Sequence, residues 1–293
     1  MSLALTDAIG WVVVAGFTLS ALLATRDDAH PARVVAAGSW VVFAVFWALL
    51  IEHFLIVKAS IIEGVLVILA VPLCLYTAKL VLTTRPRILM LSRAIAVMGL
   101  VYLPFQTFPA LANAAISITA QASYALITLL GYHPDLLVQP DGYPHAIQFA
   151  VGDHTITTYV LLACSGIGSI ATVVGLITAT TAPIRRRLTA IAIVAPIIYA
   201  LNIIRVAFIA IAFGNQWFAW TKPLVFAVFP TTDPYKVSYY FADRILAQSL
   251  SVVVLVAITL GLLRILPELA ALLDDALYIA TRNEYNLRER FTE

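Results

Sequence analysis

Charge is what this chain has least of. Only 12% of its 293 residues are Asp, Glu, Lys or Arg, and 62% are hydrophobic, whereas soluble domains run near a quarter charged and half apolar. That shortage, with a mean hydropathy of +0.96, excludes an ordinary soluble fold. Cysteine is scarcer still: Cys74 and Cys164 are too few for a disulfide framework or a zinc site. A basic segment ahead of the first apolar run is missing too, so Met1 to Ala24 reads as a retained anchor and not as a cleaved signal peptide. Without a metal cluster or a nucleotide-binding motif, no cofactor and no nucleic-acid partner is expected.

What the chain has in abundance is apolar sequence in runs of about 20 residues, each long enough to cross a hydrocarbon core of roughly 30 Å. The expected fold is an all-α polytopic helical bundle of about seven spans. They are Ile9–Ala24, Val34–Ile51, Ile61–Leu82, Ile88–Phe105, Cys164–Ala182, Leu188–Phe213 and Phe241–Leu266. Residues 1–266 would form one polytopic domain, and 267–293 a helical tail on the cytoplasmic surface. Basic residues set the orientation. Arg26, Arg33, Lys79, Arg85, Arg87, Arg93, the triplet Arg185-Arg186-Arg187, Arg264, Arg282, Arg288 and Arg290 all fall on one side. Lys58, Lys222 and Lys236 fall on the other, and Gly131–Val160 holds no Lys or Arg. The N-terminus is thus expected outside and the C-terminus inside.

Ala94–Leu130 does not fit a single span. It would be roughly 55 Å long as a helix, and Pro104 and Pro109 interrupt it. Asn113, Ser117 and Gln121 recur at i, i+4 in its second half, one polar stripe that predicts an amphipathic helix on the outer interface. An eighth span there is the alternative. Further on, Ile147–Val151 and Thr155–Tyr159 flank Gly152-Asp153 and predict a short outer β-hairpin running into Cys164.

Three polar positions stand out against this apolar background. Arg205 lies inside a helix, where a charge costs about 2.5–3.5 kcal/mol near the bilayer centre, and Asn202 shares its face at i−3. Snorkelling toward the headgroups is the bland explanation. Arg244 opens the last span beside Asp243 and is otherwise an interfacial anchor. Cys164 precedes Ser165, Gly166 and Gly168 at the outer start of its span. A helix N-terminus there favours a thiolate, and the small neighbours admit a substrate backbone. Cys74 reads as a packing residue. The predicted topology brings Cys164, Arg205 and Arg244 to one outer level.

Cys164-Ser165-Gly166, Asn202-Ile203-Ile204-Arg205 and Arg244 together resemble the signature of the exosortase/archaeosortase family, covering about Ile61 to Leu266. Bacterial members typically carry His at the third position; the archaeal branch carries Arg. The resemblance implies a membrane-embedded cysteine transpeptidase acting near the extracellular face of the cell membrane. Its substrates would be secreted surface proteins, S-layer glycoproteins among them, with a C-terminal tripartite signal: a Pro-Gly-Phe motif, a hydrophobic span and a basic cluster. A prenyl-type membrane lipid would be the acceptor. Cys164 would attack a carbonyl near the motif, Arg205 would stabilise the thiolate and Arg244 the oxyanion. Neither guanidinium can serve as a base, so the proton for the leaving amine falls to His154, Tyr239, Tyr240 or water. Three alternatives stay open: an intramembrane protease with water as acceptor, an anion transporter built on Arg205, and a non-catalytic scaffold.

Overall fold

The structure is a computed structural model, described here for residues 3–24, 30–57, 61–83, 88–140, 142–151, 154–284 and 287. Arg26, Lys58, Arg85, Arg87, Arg288, Arg290 and the expected turn residues Gly152 and Asp153 lie outside the described residues. The chain forms two compact units. One comprises residues 1–104, 171–195 and 259–293, the other 105–170 and 196–258.

The first unit is built on helices α1 (Leu3–Leu23), α2 (His30–Glu52), α3 (Ile61–Thr83) and α4 (Leu89–Thr107). Its core holds Phe17, Trp40, Val81 and Ile88, with Phe17 edge-on to Trp40 at 5.1 Å. The indole N–H of Trp40 donates to Ser92 Oγ at 3.0 Å, which satisfies a polar group that burial would otherwise strand. Arg33 donates to the carbonyls of Val81 and Leu82. It thereby caps two of the acceptors that the end of α3 leaves unpaired.

Helices α6 (Ile167–Ala179) and α7 (Ile184–Gly214) follow later in the chain. Arg187 donates to the Thr178 carbonyl at 2.9 Å and closes the turn between them. A Cβ on Gly175 would stand 2.4 Å from the Ala94 carbonyl oxygen, so this close approach of α6 to α4 requires glycine.

The second unit holds α5 (Pro109–Leu129), a three-stranded antiparallel sheet, the short helix α8 (Lys222–Val228), and residues 167–170 of α6, 196–214 of α7 and 234–258 of α9 (Pro234–Ile265). The predicted hairpin is present as β2 (Pro144–Val151) and β3 (His154–Tyr159). A further strand, β1 (Asp135–Val138), pairs with β2 and makes the order β1-β2-β3. Ala120 of α5 shares an apolar cluster with Val160 and Val206. Ile127 shares one with Ile147, Phe149, Ala210 and Ile211. Helix α5 and this part of α7 therefore run in the same sense beneath the sheet. The expected polar stripe is partly turned inward, because Ser117 is buried and accepts a hydrogen bond from Gln121 at 3.0 Å.

Among the described residues, seven helices are long and apolar enough to cross a membrane: α1 to α5, α7 and α9. The count matches the expectation, but the membership differs. Helix α5 has 21 residues, whereas α6 has only 13, about 20 Å of helix. The expected span Cys164–Ala182 is clipped at both ends. Gly166 holds φ +77° and delays the helix to Ile167, and Pro183 follows its break after Ala179. Beyond α9, α10 (Leu269–Thr281) gives the expected helix in the tail.

Candidate active site

Cys164 closes a 3-10 turn, Leu162–Cys164, between β3 and α6. It therefore sits before the apolar helix and not on its first turn, which corrects the expected placement. Ser165 Oγ donates to the Leu162 carbonyl at 2.7 Å and accepts from the Ile167 N–H at 3.4 Å. Ser165 is buried, and its hydroxyl knits the turn onto the helix. A Cβ on Gly166 would meet Asn202 Cγ at 3.2 Å. The glycine thus makes room for Asn202, where sequence reasoning had assigned that space to a substrate backbone.

Asn202 uses that room to donate from Nδ2 to the carbonyl of Cys164 itself. One turn further along α7, Arg205 Nη2 donates to Asp243 Oδ1 at 2.9 Å. The opposite carboxylate oxygen faces Arg244 Nε at 3.5 Å, an ion pair without hydrogen-bond geometry. Tyr239, one turn before Asp243, stands near enough to that carboxylate and to Cys164 for their charges to interact. Asn202 and Arg205 occupy one face of α7, as their i, i+3 spacing predicts. The residues of this cluster all belong to the second unit.

A π-helical segment, Tyr240–Ala247, carries Asp243 and Arg244. Such widened turns are rare and recur at functional sites. Here adjacent residues both address one carboxylate cluster, which α-helical spacing does not arrange. The Nε groups of Arg205 and Arg244 are buried without a hydrogen-bond partner. Two preoriented donors therefore remain for an incoming anion or oxyanion.

The electrostatics around Cys164 run against simple activation by two arginines. Burial pushes the thiol above its ordinary value. A backbone hydrogen bond at Leu161, Arg205 and then Arg244 pull it back, and the Asp243 carboxylate adds to the upward push. Asp243 thus cancels part of what the guanidiniums supply, and the resting group is a neutral thiol. His154 lies apart from these bonds. Its ring packs edge-on against Tyr235 at 5.1 Å, and none of the cluster's hydrogen bonds or ion pairs among the described residues runs to it. Among those residues, no group of three His, Cys, Asp or Glu is placed to hold a metal.

Sequence reasoning found Cys164, Asn202, Arg205 and Arg244 but paired Asp243 with its neighbour alone. An acid inside an apolar span needs a cation, and that rule pointed to Arg205 as much as to Arg244.

The chain belongs to the transmembrane exosortase family, whose description matches residues 5–231. Seven apolar helices and this membership define a multi-pass membrane protein. The family match takes in Cys164 and Arg205 and ends before Asp243 and Arg244. Among individual proteins, the chain is 43% identical over 295 residues to archaeosortase A of Haloferax volcanii, covering 97% of each chain. It is 39% identical over 286 residues to archaeosortase A of Natronomonas pharaonis, covering 94% of this chain and 89% of that one. No solved structure matches.

Proposed function

We propose that this protein is a cysteine transpeptidase that removes the C-terminal sorting segment of secreted surface proteins and passes the new carboxyl end to a membrane lipid. The observation that carries the reading is the tie between the nucleophile and the charge cluster. Asn202 holds the Cys164 backbone, and Arg205 on the same helix face holds Asp243. Similarity to the two archaeosortase relatives supports secreted surface proteins as substrates; the Pro-Gly-Phe motif, hydrophobic span and basic cluster are the signal that the resemblance of Cys164, Arg205 and Arg244 to the family signature implies.

In the proposed sequence the Cys164 thiol gives its proton to the Tyr239–Asp243 pair as sulfur attacks the scissile carbonyl. The carbonyl π electrons move to oxygen, and the oxyanion binds the free Nε–H of Arg244. Arg205 holds the thiolate side of the exchange and fixes the Asp243 carboxylate. Collapse breaks the C–N bond, and the Tyr239–Asp243 pair returns the proton to the departing amine. A lipid nucleophile then displaces sulfur from the thioester. Tyr239 suits the proton-carrying role better than His154, because it stands near the charges of Asp243 and Cys164, whereas His154 packs on Tyr235.

The reaction is assigned to the outer face, with the N-terminus out and the C-terminus in. Support comes from the one-sided Lys and Arg distribution. The anion-transport alternative is weakened because Arg205 already meets a carboxylate at 2.9 Å.

The test is processing of a reporter carrying the tripartite tail in cells with wild-type protein or Cys164→Ala at equal membrane abundance. Processing by wild type alone is the expected result. Equal processing by both would remove the nucleophile, and a product mass showing a free carboxylate would replace transfer with hydrolysis.

A further inference from the structure

A cavity in the first unit has no part in the chemistry above. It is an open cleft of 520 Å³ lined by α2, α3, α4, α10 and, through Phe54, the turn that follows α2. Its α3 wall, from Glu63 through Ala70 to Thr77, recurs at helical spacing along one face. Those fourteen residues of rise make it about 21 Å long. Trp40, Phe43 and Trp47 form the facing wall from α2. A groove of that length and volume accommodates a hydrocarbon chain lying along α3.

The position and chemistry select the occupant. Helices α2 and α3 are both long and apolar enough to span a bilayer, so the medium beside the cavity is lipid. An apolar space of this shape repels water and gains dispersion contacts from a chain that fills it. At one end, in the first turn of α3, stands Glu63. Its Oε2 is buried and has no hydrogen-bond partner, a costly state for a carboxylate oxygen. A cationic hydrogen-bond donor at that end would satisfy it. Among the described residues, no other charged residue lines the cavity.

We infer that this cavity is a binding site for a single membrane lipid, with one hydrocarbon chain lying along α3 and a primary ammonium headgroup paired with Glu63. The inference stands apart from the reading of Cys164 and does not depend on it.

Native mass spectrometry of the full chain tests it. The protein is reconstituted in nanodiscs holding equal amounts of phosphatidylethanolamine and phosphatidylglycerol, then released and weighed with its retained lipids. Wild type is expected to keep one phosphatidylethanolamine, at about tenfold preference. Glu63→Gln should equalise the two lipids, and Ala70→Phe should empty the site. Ala70→Leu, a smaller plug, repeats the second arm if the Phe variant fails to reach the membrane. Equal retention of both lipids by wild type overturns the proposal, as does detergent alone, or unchanged retention in a folded Ala70 variant.

Discussion

Gly166→Ala is the most informative single change, because it touches the site without altering any reacting group. Gly166 sits at φ +77°, and its missing Cβ would lie 3.2 to 3.4 Å from Asn202 Cγ, Cβ and Nδ2. The left-handed conformation costs a residue with a Cβ roughly 1–2 kcal/mol. Relief of the contact requires Asn202 to retreat by a few tenths of an ångström, which loosens its bond to the Cys164 carbonyl, worth about 0.5–1.5 kcal/mol. The sum is about 1.5–3.5 kcal/mol; expressed wholly in the barrier, it slows processing about 10- to 300-fold. Asn202→Ala alone loses the bond without the backbone strain and should slow processing about 2- to 10-fold. In that background the added alanine meets no amide, so the two effects should be less than additive. The assay is reporter processing at equal membrane abundance, with thermal melting of the purified variants alongside. Processing by Gly166→Ala within twofold of wild type, at an unchanged melting temperature, would refute the reasoning.

Four further outcomes are expected. Because burial holds the Cys164 thiol above its usual range of about 9, its alkylation by iodoacetamide should climb about tenfold per pH unit from 7 to 9 without levelling. Asp243→Asn removes an upward push and should speed alkylation at pH 7 while slowing processing; slower alkylation would contradict the charge arrangement. Tyr239→Phe should cut processing by about 10²-fold or more, the usual scale of a proton-transfer group, yet leave the alkylation profile near wild type; wild-type processing would remove Tyr239 from the proton path. Gly175→Ala forces a Cβ to 2.4 Å from the Ala94 carbonyl. Overpacking of about 1–3 kcal/mol should lower the melting temperature by several degrees, with processing per folded molecule unchanged; an unshifted melting curve would contradict so close a helix contact.

The spans were legible because bilayer crossing demands long apolar runs, and Arg205 was legible because a charge in such a run is expensive. Helix α6 misled for the same reason: its flanks, Cys164 and Thr180 to Ala182, are apolar or small enough to extend the run, while the glycine conformation that delays the helix has no hydropathy. Strand β1 went unread because four residues, Asp135-Leu136-Leu137-Val138, carry too little alternation to announce a strand; pairing with β2 creates it. The Asp243–Arg205 pairing went unread because the two residues lie on different helices, and no local spacing connects them.

Helix α7 holds one more consequence. Its 31 residues make a rod of about 46 Å, some 16 Å longer than the hydrocarbon core. Arg205 stands only about 13 Å from the Gly214 end. On the topology proposed above, with the triplet Arg185-Arg186-Arg187 seated among headgroups at the other end, the surplus length would lift Arg205 to the edge of the hydrocarbon core, within reach of both water and headgroups. On the proposed mechanism, the choice between hydrolysis and transfer would then rest with whatever shields the thioester from that water, and a thicker bilayer, by drawing the same helix deeper, would tilt the outcome toward transfer.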